Sequence, residues 1–139
     1  MAYDPNNIFA KIIRGEAPAF KVYEDAHTIA FMDIMPQVEG HTLVIPKEGA
    51  ESIFDLSSDG AAALINATRK VAAAVKEATK APGILLAQLN GAAAGQTVFH
   101  IHFHVMPRYA GIDLKIHARE KADFEKLTAL AAKIAAAVR

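Results

Sequence analysis

The sequence predicts an α+β domain: a mainly antiparallel five-stranded sheet with a short N-terminal helix and two long helices. Three observations carry that expectation. The β-prone runs Phe20–Glu24, Thr28–Asp33 and His41–Ile45 follow one another across short polar connections, which leave no room for the crossover helices that parallel strands need. Two amphipathic stretches are inserted between and after groups of strands rather than alternating with each one, the order expected of segregated layers. The 139 residues, 53% apolar and 22% charged, suit a single domain with one core, taken as 1–139.

Each element has a local reason. Ile8, Phe9, Ile12 and Ile13 recur at helical spacing behind the Asp4-Pro5-Asn6-Asn7 starter, and Gly15 with Pro18 stops the pattern. Asp25-Ala26-His27 reads as the turn of a hairpin between the first two strands. Gly40 opens the third strand and Pro46 closes it. Ser57, Ser58 and Asp59 offer capping oxygens to a helix whose stripe is Leu64, Thr68, Val71 and Val75, ended by Pro82-Gly83. Ile84–Leu89 predicts a fourth strand and Val98–Met106 a fifth, joined by the small-residue loop Asn90-Gly91-Ala92-Ala93-Ala94-Gly95-Gln96. A last helix is expected from about Arg119 to Val138, with Phe124, Leu127, Ala131, Ile134 and Val138 on one face.

Composition narrows the function. Fifteen Lys plus Arg balance fifteen Asp plus Glu, so the basic excess that a nucleic acid polymer requires is missing. A mononucleotide remains possible, because a few backbone N–H groups can hold one phosphate. The absence of cysteine removes disulfides, thiolate metal sites and a thiol nucleophile. No run of 18 apolar residues occurs and the N-terminus has no export pattern, so no membrane association is expected and the cytoplasm is the default compartment.

Three of the six histidines stand in Val98-Phe99-His100-Ile101-His102-Phe103-His104-Val105-Met106. In a strand, period-two alternation would put His100, His102 and His104 on one face and Phe99, Ile101, Phe103 and Val105 on the other. A shuffled chain of this composition would show the triple about one time in a hundred, so composition alone does not account for it. Such a row suits metal binding, since imidazole is the commonest metal ligand. It equally suits covalent catalysis, since a neutral imidazole nitrogen attacks phosphorus well. Nearby Asn90, Gly95, Gln96 and Thr97 offer N–H groups, amides and a hydroxyl, which are partners for phosphate oxygens. His41 reads as an orienting second histidine or an ordinary surface one, and Asp33 as a turn residue or an acceptor of ribose hydroxyls.

The run from Gly95 to Met106 resembles the histidine triad motif, His-φ-His-φ-His-φ-φ with φ apolar, of the histidine triad nucleotide-binding (HIT) family. The resemblance extends in order over Ile8–Ile13, Ala30–Gln37 and Gly40–Lys47, covering most of the chain. It implies a HIT-like α+β homodimer whose sheets join edge to edge and whose site takes a purine nucleotide of the AMP or GMP type. By the same carry-over His102 would be the nucleophile, His104 would assist the leaving group, and His100 with His41 would orient the row. Asp33 and Ile34 would meet the ribose, Ile8, Phe9, Phe31 and Leu43 would wall the base, and Asn90, Gly95, Gln96 and Thr97 would hold the phosphate side.

The implied activity is hydrolysis of nucleoside 5'-monophosphate derivatives, purine nucleoside phosphoramidates in particular, with no cofactor. Dinucleoside polyphosphate hydrolysis and mononucleotide binding with incidental turnover are the alternatives. Some bacterial relatives carry cysteine and histidine ligands for a structural zinc near the N-terminus. Here Asn7 and Ala10 stand at the cysteine positions, so no metal is expected. The last triad position is His104 rather than the Gln common in the transferase branch, which favours hydrolysis, and Thr97 replaces the more usual Ser.

Overall fold

A computed structural model describes residues 3–114 and 121–139. The elements run α1 (Ile8–Ile13), β1 (Lys21–Glu24), β2 (Thr28–Met32), β3 (Thr42–Pro46), α2 (Ser58–Thr79), β4 (Gly83–Gln88), β5 (Phe103–Arg108) and α3 (Phe124–Ala137). The five strands form one sheet in the order β1-β2-β3-β5-β4, and every neighbouring pair is antiparallel. The α+β expectation therefore holds. Among the described residues no helix is long and apolar enough to cross a membrane.

Period-two alternation divides the sheet into two unequal faces. Val22, Ala30, Met32, Val44 and Val105 point to the larger core, where they meet Leu64, Ala67, Val71, Ala74 and Val75 of α2 and Leu127, Ala131 and Ile134 of α3. Full burial of a side chain the size of Val or Leu contributes about 1.5–3 kcal/mol, so this face supplies most of the fold's apolar driving force. The opposite face carries Ile29, Phe31, Leu43 and Ile45, covered by Phe9 of α1. Phe31 pairs with Leu43, and Leu43 pairs with His104. The register thus sets the last triad histidine on the α1 side, in line with that smaller cluster.

Helix α2 starts where the capping oxygens predict, with the Ser57 hydroxyl accepting from the Gly60 N–H at 2.9 Å. The stripe Leu64, Thr68, Val71 and Val75 is buried throughout. The helix ends earlier than Pro82-Gly83 suggests: Lys80 takes a left-handed conformation (φ 57°) and caps it, and Gly83 already belongs to β4. Helix α3 begins at Phe124 behind Asp123, whose carboxylate accepts from the Glu125 N–H, so Lys121 to Asp123 are not helical as expected. The expected start near Arg119 lies outside the described residues. Phe124 and Val138, placed on the buried face by periodicity, sit at the helix ends and stay partly exposed, Phe124 edge-on to Phe20.

The fifth strand is the main departure. It covers Phe103–Arg108 rather than Val98–Met106, so only His104 of the triad lies in a ladder. Before it the chain turns away from β3 and β4, and the Ile101 N–H donates to the Ala50 carbonyl at 2.8 Å. Ile101 still buries fully in the larger core, whereas Phe99, expected to face a core, is exposed.

Candidate active site

The histidines meet where β3 and β5 pair. His41, just before β3, places Nε2 2.9 Å from Nδ1 of His104. The His102 and His104 ring centroids lie 4.9 Å apart, and Phe9 of α1 stands edge-on to His102 at the same centroid distance. His41, His100 and His102 are buried, and His104 is partly so. The row expected from strand alternation therefore exists, but an irregular segment builds its first two members.

The hydrogen bonds determine where each proton sits, because a carbonyl can only accept and a peptide N–H can only donate. His102 Nδ1 is 2.7 Å from the carbonyl of His100, so Nδ1 carries the proton and Nε2 keeps its lone pair. His41 Nδ1 accepts from the Gln37 N–H at 3.1 Å, so its proton is on Nε2 and is donated to His104 Nδ1. His104 then carries its own proton on Nε2. Adjacent rings thus present a nucleophilic nitrogen and an N–H donor.

Burial favours the uncharged form of all four rings. Loss of solvation, with the neighbouring histidines adding to it, holds His41 at about 3 and His104 at about 4. His100 lies at about 4 and His102 is lowered, in both cases chiefly by desolvation. Neutral rings at pH 7 suit a nucleophile that must offer a lone pair. Asp33 is drawn the other way, its carboxyl raised by burial although the Met35 N–H donates to it. Its Oδ2 lies 3.6 Å from His41 Nε2.

The remaining expected residues fall into two groups. Phe9 of α1 is buried together with Phe31 and Leu43, whereas Ile8 and Ile34 are exposed. In the loop before the triad, Gly91 and Gly95 take positive φ (93° and 103°), a conformation that favours glycine. The N–H groups of Ala94, Gly95 and Gln96 turn back onto the loop's own carbonyls. Gln96 is buried as a brace, its Oε1 accepting from the Gly91 N–H and its Nε2 donating to the Glu51 and Val98 carbonyls. Asn90 is likewise engaged, accepting from the Ile53 N–H and exchanging hydrogen bonds with Gln88. Gly95 and Thr97 stay exposed.

Asp33, His41 and His104 each offer one ligand atom within 4.8 Å of the others, a set that could gather a metal ion. Metal there would break the His41–His104 hydrogen bond and displace the proton that the Gln37 N–H confines to His41 Nε2. A ligand set of the three triad histidines is not formed, because both nitrogens of His100 already have partners.

Sequence reasoning missed Tyr3, Gln37 and the carbonyls of Pro46 and His100. Tyr3 lies 97 positions from its histidine partner and the two carbonyls are main-chain groups, so no side-chain pattern marks them.

The HIT domain profile matches residues 14–111. The chain belongs to the HIT family. It is 44% identical over 104 residues to the Protein hit of Bacillus subtilis, covering 75% of this chain and 72% of that one. It is 35% identical over 141 residues to the adenosine 5'-monophosphoramidase of Candida albicans, covering 96% and 92%. The crystal structure of a Hit-like protein from Bartonella henselae superposes with a TM-score of 0.91 at 51% identity, over 99% of this chain and 100% of that one.

Proposed function

We propose that this HIT protein hydrolyses purine nucleoside 5'-monophosphate derivatives, phosphoramidates foremost, through a nucleotidyl-histidine formed on His102. The observation that carries this reading is the pair of tautomers: His102 holds its proton on Nδ1 against the His100 carbonyl, leaving Nε2 to attack, and His104 keeps an Nε2–H beside it. In the first step Nε2 of His102 bonds to the α-phosphorus while the bond to the leaving group breaks. The leaving group departs with the electron pair and takes up a proton relayed through His104. Water then attacks the phosphorus as the new P–N bond breaks; its proton passes to His104, replacing the one given to the leaving group, and release of the monophosphate leaves His102 neutral again.

In this reading Asp33 and Ile34 meet the ribose, and Ile8, Phe9, Phe31 and Leu43 border the base. The loop braced by Asn90 and Gln96 presents Gly95 and Thr97 on the phosphate side. The relative named as an adenosine 5'-monophosphoramidase supports the choice of substrate. A homodimer joined along a sheet edge is part of the same reading, supported by edge strand β4 with Leu85 and Leu86 exposed, and sedimentation velocity tests it.

The deciding assay measures AMP release from an adenosine phosphoramidate by chelator-treated protein, with a diadenosine polyphosphate run in parallel. Metal-independent release with an acid-labile adduct on His102 is expected, faster for the phosphoramidate. Faster cleavage of the polyphosphate would move the protein to that substrate class. Turnover only with added metal would sink the covalent reading.

A further inference from the structure

His100 is fully buried and makes two hydrogen bonds of opposite polarity. Its Nε2 lies 2.7 Å from the Pro46 carbonyl, so this nitrogen carries the proton. Its Nδ1 is therefore an acceptor, and the Tyr3 hydroxyl stands 2.5 Å away to donate. The Tyr3 oxygen accepts in turn from Asn7 Nδ2 at 2.9 Å. Asn7 cannot present its oxygen there, because Oδ1 accepts from the Ala10 N–H at 2.9 Å as the N-cap of α1. A chain of one polarity thus runs from Asn7 through Tyr3 and His100 to Pro46.

The packing around this chain is equally specific. The Tyr3 ring meets His100 edge-on, with centroids 5.6 Å apart at 66°. Gly49 makes room for it: a Cβ at that position would stand 2.9 Å from Tyr3 Cε2, closer than real side chains approach. Residue 100 matters to the reaction through its backbone, since its carbonyl holds the His102 Nδ1 proton.

We propose that Tyr3 is a positioning residue for His102: its hydroxyl, polarised by Asn7, locks the His100 ring so that the His100 carbonyl keeps the His102 lone pair on Nε2. The role rests on the reaction proposed above and deepens it. Without the hydroxyl, a buried acceptor on His100 has no partner, and such a group costs enough to drive ring rotation or tautomer exchange. Either change shifts the peptide that His102 leans on.

The test pairs kinetics with nitrogen NMR of histidine-labelled protein. Tyr3→Phe keeps the ring and removes only the hydroxyl. It is expected to lower kcat for phosphoramidate cleavage about tenfold with KM near wild type and Tm lowered by only a few degrees, the kinetic loss lying in the range found for partners that orient a functional histidine. The His102 spectrum is expected to change from a pure Nδ1–H tautomer to a mixture.

Asn7→Asp serves as the second variant, because aspartate caps a helix as well as asparagine does but cannot donate to Tyr3. It draws the hydroxyl proton away from His100 and should mix the same tautomers with α1 intact. Wild-type kcat with a pure His102 tautomer in Tyr3→Phe would overturn the proposal. So would a parallel fall in kcat and Tm with no tautomer change. Should wild-type protein turn over neither nucleotide, the reaction fails but the spectra still decide what Tyr3 does.

Discussion

The triad histidines belong to two kinds of structure, and the contrast explains how each ring is held. His104 lies in a regular ladder, opposite Leu43 on one side and Ala87 on the other, so cross-strand pairing sets its place and the face it presents. His100 and His102 lie in the irregular run before β5, where the chain answers to Ala50 and Pro46 instead of a neighbouring strand. In a ladder the His100 carbonyl would have been available for pairing with another strand. Outside it, that carbonyl meets the ring of His102 and dictates its tautomer. In the proposed reaction, regular structure positions the group that would assist and broken structure prepares the group that would attack.

Removing His102 breaks the contrast most severely. His102→Ala is expected to lose on the order of a thousandfold or more in turnover, the scale seen when a nucleophile is deleted, and to form no adduct. AMP binding measured by calorimetry should survive, and undiminished hydrolysis would place the chemistry elsewhere. His41→Ala attacks the regular side, because it removes the donor that assigns the His104 tautomer. A loss of roughly 10- to 100-fold in kcat is expected, the range for orienting partners, and adduct formation should persist at a reduced rate.

Acid sharpens the comparison without a mutation. His41, His100 and His104 titrate at about 3, 4 and 4 in the folded protein, below the 6.5 of an unperturbed histidine. Between these limits the unfolded chain binds protons that the folded chain refuses. Stability is therefore fully present above about pH 6.5 and falls as pH drops toward 4, each group contributing at most about 1.4 kcal/mol per pH unit. Asp33, whose carboxyl is raised, acts in the opposite sense and softens the slope. Urea midpoints at pH 7, 5.5 and 4.5 measure it, and a flat profile would mean that the rings are not buried neutral.

The smallest expected effect is that of Ile101→Val, which trims the buried anchor between the two irregular histidines. Ile to Val in a core costs about 0.5–1.5 kcal/mol. A thermal melt should show that loss, with kcat falling more than in Val105→Ala, which leaves the irregular run untouched.

Much of this architecture was legible because local rules and tertiary demands agree. Ser57 caps the helix it precedes, the stripe from Leu64 to Val75 is the face that packs, and alternation along β3 and β5 gives the sheet its two faces. The triad spacing and the resemblance it carries led to the right family. What stayed hidden depends on partners remote in sequence. Val98–His102 has every local mark of a strand, yet the Ala50 carbonyl draws Ile101 out of the ladder. Gln96 reads as a phosphate partner, yet three of its hydrogen bonds go to the main chain.

The distances along the chain bear on how the protein comes into being. His41 and His104 are 63 positions apart, Tyr3 and His100 are 97, and α2 lies between the members of each pair. Contacts of such long range must overcome loop-closure entropy before they stabilise anything, so they form late relative to a helix that nucleates locally. The unprotonated Nε2 of His102, the nitrogen proposed to react, is thus a product of the closing steps of folding. Recovery of adduct formation after dilution from denaturant should lag the helical signal of α2, timing the moment at which β3 closes on β5.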